Sequence, residues 1–372
     1  MLNYKVRYFL ELCILSTIQA LQDIDAEIIV VDNFSEDESC AMVKAHFPEV
    51  ILIENIENVG FARAVNQGVA VAKGTYVCIL NPDIVVPKTI FNSLISKLKE
   101  RTASGIIGPR LIDGAGRFLP ESKRNVPSPY TSFKRLFGIK IGKTKNYYAT
   151  HVNPKEVGKV DVLVGAFMIL ERALFMEVKG FDEAYFMYGE DIDLSFTIQK
   201  EGKENWYSGE DVAIHFKGES TVKNAVYIQR FYGAMRIFYR KHFKYNLLVD
   251  TIVSSGIRIV SLLKTAKITK RTKRAIDFYL LISDDLDLMQ QVKKTRHKNV
   301  ILERSKSLEK YLTKDIEILL DADYISYSEI IYLMDMYQRN NFTFKIKPTG
   351  CNYFVGSDFS DGKGEVIVLN KL

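Results

Sequence analysis

Tryptophan occurs once in this 372-residue chain, and cysteine only four times. Cys13, Cys40, Cys78 and Cys351 lie far apart with no CxxC pair, so neither a disulfide framework nor a zinc site is expected. Three of them fall in apolar periodic segments, where free thiols are commonly buried, and the usage suits a reducing compartment such as the cytoplasm. Long hydrophobic runs are also missing: no stretch reaches the ~18 apolar residues of a membrane span. A large charge excess is absent too, since the net charge is only +6, which argues against a nucleic-acid partner.

What charge there is lies unevenly. "KTAKITKRTKR" (264–274) holds six bases and no acid, a composition suited to an anionic surface such as lipid headgroups or to a solvated linker. The preceding "YNLLVDTIVSSGIRIVSLLKTA" (245–266) is interrupted by Asp250 and Arg258, as in an interfacial amphipathic helix rather than a span. The amino-terminal "MLNYKVRYFLELCILSTIQA" has the outline of a signal peptide, but Glu11 breaks its apolar part. Phe9, Leu12, Cys13 and Ser16 recur at helical spacing, so a helix of the fold is expected there.

Hydrophobic residues make up 47% of the chain, enough for a sizeable core, and its length favours two domains. Short β-branched runs ("AEIIVVD" at 26–32, "VILIEN" at 50–55, "TYVCILNPD" at 75–83) alternate with helical patterns, including "FARAVNQGVAVAKG" (61–74), which Gly74 should stop. Such alternation predicts a mostly parallel sheet covered by helices. Ligands of these sheets bind beyond the carboxyl ends of the strands, where Asp32 and Asp83 stand. Residues 103–160 show little periodicity and read as a long functional loop. A strand over 160–170 and a helix follow. In "FMYGEDIDLSF" (186–196) the acids Glu190, Asp191 and Asp193 open a helix among aromatics. They either cap it or face a cleft, where the helix dipole would keep Asp191 ionised as a proton acceptor. His215 closes a strand over 204–215. Beyond 275 the alternation restarts as a smaller α/β unit without a GxGxxG turn, so dinucleotide binding is unsupported there.

In order along the chain, "NY" at 3–4, "IIVVDNFSEDES", "NVGFARAVNQG", "LNPDI" and "GFDEAYFMYGEDIDLSFTIQKEG", followed by His215 and "GES", resemble the family 2 glycosyltransferases of the GT-A fold, in their rhamnosyltransferase-like branch. The resemblance covers about residues 1–243. It implies a GT-A domain over 1–244, followed by a connector over 245–275, while residues 276–372 resemble a small Rossmann-like α/β domain appended to some bacterial envelope glycosyltransferases. It implies an inverting transfer from a UDP- or dTDP-sugar to a hydroxyl of a saccharide or lipid-linked saccharide, at the inner face of the cell membrane. Tyr4, Asp32, Asn33, Gly60, Arg63 and Asn81 would bind the nucleotide, with Asp32 accepting the imide N–H of the base. Asp83 and His215 would hold Mg2+ or Mn2+, and Asp191, with Glu190 beside it, would be the general base.

The chain departs from its relatives in two places. They begin with a full strand before "NY", of which only Met1 and Leu2 stand here, and "NPD" replaces DxD, leaving Asp83 alone to ligate directly. Two other readings carry different tests. A non-catalytic nucleotide-binding relative would not turn over a nucleotide sugar, and a membrane-surface scaffold would bind anionic vesicles through 245–372 alone. A nucleotidyltransferase would need a Gly-rich basic loop near the amino terminus, which is missing.

Overall fold

The computed structural model describes residues 1–127, 147–218, 225–243, 275–338, 341–359 and 362–369, with the side chains of 225–228 excepted. All of the expected amphipathic and basic stretch 245–275 but its last residue, and Glu219 and Ser220 of "GES", lie outside them.

β1 (Leu2–Asn3), α1 (Arg7–Ala20), β2 (Ile29–Asp32), α2 (Ser39–His46), β3 (Ile51–Glu54) and α3 (Phe61–Val71) open the fold. β1, β2 and β3 form a parallel three-stranded sheet in which Leu2 lies opposite Val31 and Val31 opposite Ile53. α3 ends at Val71 rather than at Gly74. Ala72 is already extended, and the next N–H, on Lys73, is captured by the Glu27 carboxylate at 2.6 Å. Next come β4 (Tyr76–Leu80), β5 (Ile84–Val85), α4 (Ile90–Lys99), β6 (Ser104–Ile112), β7 (Lys123–Arg124), β8 (Val157–Val160), β9 (Val162–Leu163) and β10 (Phe167–Glu171). α5 (Arg172–Glu177), α6 (Glu190–Lys200), β11 (Glu204–His215) and α7 (Ala225–His242) complete this part.

The second sheet runs β4-β10-β6-β11-β5, with β8 paired to β11. β6 therefore lies inside a stretch read from sequence as a loop. Its Gly105, Gly108 and Pro109 hide the strand pattern, but the glycines serve close packing: a Cβ on Gly105 would stand 2.6 Å from Ile198 of α6. Pro109 faces Ser208, where the ladder with β11 shifts register. The strand expected over 75–83 breaks after Leu80, and the one over 160–170 breaks between Leu163 and Phe167. The two breaks meet, since the Asn81 N–H donates to the Ala166 carbonyl at 2.9 Å.

The carboxyl-terminal unit comprises β12 (Phe278–Ile282), α8 (Leu286–Arg296), β13 (Val300–Glu303), β14 (Ile316–Asp321), α9 (Tyr327–Met336), β15 (Phe342–Lys347), β16 (Tyr353–Gly356) and β17 (Glu365–Val368). β13-β12-β14-β15 are parallel, and β16 and β17 extend the sheet as an antiparallel hairpin. Asp285 caps α8, and a Ser326–Glu329 capping box starts α9.

One apolar core runs across both units: Phe9 and Leu12 of α1, with Ile112, Ile214 and Phe216, pack with Ile330, Met334 and Tyr353. Polar contacts join them too. Buried Arg110 pairs with Asp335, and the Tyr353 hydroxyl donates to buried Glu11 at 2.8 Å. Gly114 and Gly116 allow this approach; a Cβ on Gly116, whose φ is +79°, would fall 1.9 Å from the Met334 carbonyl oxygen. All four cysteines are free, and against expectation only Cys13 is buried.

Candidate active site

The loops at the carboxyl ends of β2 and β4 converge with the start of α6 and the end of β11. Asp32 ends β2 opposite Asn3 and is buried, held by Asn3 Nδ2 at 2.7 Å, the Ser35 hydroxyl at 2.5 Å and the Ser35 N–H at 3.0 Å. Tyr4 follows directly, half-buried, with the Lys5 ammonium 5.4 Å from its ring centre. Asn33 stitches β2 to the next loop. Its amide donates to Asn58 Oδ1 at 2.9 Å, and its carbonyl oxygen accepts the Val59 N–H at 3.0 Å.

Gly60 sits at φ +87°, where a Cβ would strike the Phe186 carbonyl oxygen at 2.7 Å. The same carbonyl accepts the Phe61 N–H at 2.7 Å, so the β3–α3 loop and the segment leading into α6 are in direct contact. Arg63 is exposed on α3, 3.9 Å from Glu183, at the rim rather than within this cluster.

β5 and β11 pair antiparallel with Ile84 opposite His215, and this register sets Asp83 beside His215. Both are buried, with His215 Nε2 3.4 Å from Asp83 Oδ1. Asp83 Oδ2 accepts the Lys217 N–H at 3.1 Å, whereas Asp83 Oδ1 and His215 Nδ1 have no hydrogen-bond partner among the described residues. A buried carboxylate oxygen and an imidazole nitrogen without hydrogen-bond partners suit a divalent cation, which would relieve an otherwise unfavourable burial. No cluster of three or more such ligands occurs among the described residues, so phosphate oxygens and water would have to complete the shell. Nearby, burial works to raise the Glu121 carboxyl, but its Lys217 partner outweighs this and holds it below its ordinary value.

Asp191, in the first turn of α6, is buried and already engaged. Arg124 Nη2 donates to its Oδ2 at 2.5 Å, and the Gly165 N–H donates to the same oxygen at 3.1 Å. Gly165 adjoins Ala166, which holds Asn81, so two consecutive residues tie Asp191 to the Asn81–Pro82–Asp83 turn. Glu190 is buried too, and its Oε2 has no hydrogen-bond partner among the described residues. Burial, then the Asp191 charge, pushes its pKa up to about 8, so it holds its proton at neutral pH. Asp193 faces away into α7, where it takes Lys241 at 2.8 Å, His242 at 2.6 Å and the Tyr185 hydroxyl at 3.2 Å.

Arg124 and Gly165 were not legible as site residues. Arg124 lies in a two-residue strand inside the apparent loop, and only the pairing of Arg124 with Val162 sets its side chain toward α6.

The family model for glycosyl transferase family 2 matches residues 3–178. These residues are a family 2 glycosyltransferase domain. The chain is 28% identical over 209 residues to the N-acetylglucosaminyl-diphospho-decaprenol L-rhamnosyltransferase of Mycobacterium tuberculosis, covering 52% of this chain and 67% of the relative. It is 31% identical over 149 residues to rhamnosyltransferase WbbL of Escherichia coli, covering 39% and 53%. Among solved structures, GalNAc-T7 with UDP, GalNAc and Mn2+ aligns at a TM-score of 0.48 and 17% identity, over 70% of this chain and 53% of that one. Over the aligned residues the chain is thus similar to family 2 glycosyltransferases that include rhamnosyltransferases. Glu190 to His215 lie beyond the matched segment.

Proposed function

We propose that this glycosyltransferase moves a hexosyl or deoxyhexosyl group, rhamnose foremost, from a UDP- or dTDP-sugar to a hydroxyl of a lipid-linked saccharide, with inversion. The observation that supports the reading is the link from Asp191 through Gly165–Ala166 to the Asn81–Pro82–Asp83 turn, which joins Asp191 to the Asp83–His215 pair in one cluster. Asp32 keeps acceptor capacity on Oδ2 for the imide N–H of a pyrimidine, with Tyr4 and Asn81 lining the same strand ends. Asp83 and His215 would hold Mg2+ or Mn2+, and the imidazole favours Mn2+. The bound ion would offset the negative charge that develops on the departing diphosphate. Asp191 accepts the proton of the acceptor hydroxyl, and Arg124 fixes its orientation. One base and one direct attack give a single displacement. Protonated Glu190 serves as a donor to the acceptor or the donor sugar.

Among the described residues no helix is long and apolar enough to cross a membrane. Peripheral binding at the inner membrane face through the bases of 264–274 is therefore part of the proposal. The names of the relatives supply the lipid-linked acceptor class.

The test is a screen of UDP- and dTDP-sugars against a polyprenyl-diphosphate-linked N-acetylglucosamine acceptor, read as nucleotide release and glycolipid product. Transfer from one donor class with an inverted anomeric centre is expected. Nucleotide binding with no transfer from any donor would instead favour a non-catalytic relative.

A further inference from the structure

Val212, Ile214 and Phe216 are alternate residues at the end of β11 and just past it, so they share one face, and all three pack in the core common to both units. His215 lies between them and turns to the opposite face, toward Asp83. The apolar row continues sideways across the sheet. Val85 of β5 and Ile112 of β6 stand opposite Ile214 in the two ladders, and both belong to the same core.

α9 of the carboxyl-terminal unit covers this row. Its Ser328, Ile331 and Asp335, at i, i+3 and i+7, lie along one side of the helix. The Ser328 hydroxyl accepts the Lys88 N–H at 3.0 Å just beyond β5, and Asp335 pairs with Arg110 of β6. β11 lies between β5 and β6, so α9 crosses it, and Ile331, buried in the shared core, falls over Val212 and Ile214. The turn at Gly114 is gripped between the carboxyl-terminal unit and Phe216. A Cβ there would stand 2.1 Å from the Ser357 carbonyl oxygen and 3.0 Å from the Phe216 ring.

Two backbone bonds carry this packing to Asp83. The Phe216 N–H donates to the Asp83 carbonyl at 3.1 Å, and the Lys217 N–H donates to Asp83 Oδ2 at 3.1 Å. Lys217 takes a φ of +57°, uncommon outside glycine, so this turn persists only where its surroundings fix it. We propose that Ile331 is a positioning residue of the transferase: through Val212, Ile214 and Phe216, α9 fixes the end of β11 and with it the placement of His215 against Asp83. The carboxyl-terminal unit is then part of the donor site rather than a separate module. The proposal rests on the reading of Asp83 and His215 as cation ligands.

The test compares Ile331→Ala with Leu319→Ala in the full chain. Leu319 is buried on the other face of the carboxyl-terminal sheet with Leu288 and Val292 of α8, so each variant opens a similar cavity within that unit. Under native conditions Ile331→Ala should speed hydrogen exchange of the Phe216 and Lys217 amides by about tenfold or more over Leu319→Ala. It should also weaken Mn2+ binding in the presence of UDP or dTDP by about tenfold, read by electron paramagnetic resonance, whereas Leu319→Ala keeps the wild-type affinity. Ile331→Val should fall between wild type and Ile331→Ala in both readings. Equal exchange of these amides in the two Ala variants overturns the proposal, as does wild-type Mn2+ affinity in Ile331→Ala. Should the Ala variant not fold, Ile331→Val carries the comparison, and wild-type exchange in it overturns the proposal. A wild-type chain that binds no Mn2+ with either nucleotide would discard the cation ligands, and the exchange comparison would then decide alone whether α9 fixes the end of β11.

Discussion

Arg124 donates to Asp191 across 2.5 Å, with both side chains buried. Removing one partner of such a pair leaves an uncompensated buried charge, while keeping it holds the carboxylate in a fixed orientation. Asp191→Asn keeps the shape and loses the proposed base. Transfer should fall by about two to four orders of magnitude with donor affinity nearly unchanged, measured as turnover and nucleotide Kd in parallel. Full turnover in this variant would remove Asp191 from the base role. Arg124→Lys should lower kcat more than it changes KM for the donor, because a point charge cannot reproduce the guanidinium geometry.

The proposed cation site makes a separate prediction. Asp83→Ala and His215→Ala should each abolish the dependence of UDP or dTDP binding on Mn2+, read by calorimetry with and without EDTA. Wild-type affinity that is indifferent to EDTA would discard this pair as ligands.

Glu190 sets a pH dependence of stability. Its carboxyl titrates near 4.5 when free and at about 8 in the fold. Between those values the folded chain keeps a proton that the unfolded chain has released, so raising the pH through this window weakens the fold. Glu190→Gln, which mimics the protonated acid, should flatten the urea midpoint between pH 5 and about 8 relative to wild type. Parallel curves for the two proteins would contradict the burial assigned to this group.

The contact between the two units predicts that they unfold together. Gly116→Val places a β-branched side chain at positive φ against the Met334 carbonyl and should cost about 1–3 kcal/mol or more. Phe216→Ala, in the shared core, should cost about 3–5 kcal/mol. Both are read by chemical denaturation, and a single transition is expected in each case. A second transition, with residues 275–372 melting alone, would show the units to be independent.

Membrane association should be peripheral. Each base near an anionic surface contributes about 1 kcal/mol, so the six between Lys264 and Arg274 should retain the protein at low salt and release it at high salt. Changing all six to Gln should abolish vesicle sedimentation. Retention at high salt would point instead to insertion of 245–266.

Strand and helix periods are local properties, so the sequence alone determined the α/β alternation, the second α/β unit and the acids at the ends of β2 and β4. The motif order likewise carried the resemblance to the family. What separates residues widely in sequence was decided only by tertiary pairing. β6 became the strand between β10 and β11 because its glycines admit α6 and its ladder partners are distant, a fact that no periodicity within 104–112 encodes. Arg124 meets Asp191 across 67 residues through the pairing of β7 with β9. Asp83 meets His215 through the register of β5 on β11, and Phe9 and Phe216 share a core with Met334. Local patterns say which face of an element is apolar. Which partner covers that face is a contest among all faces of the folded chain, and only the whole fold settles it.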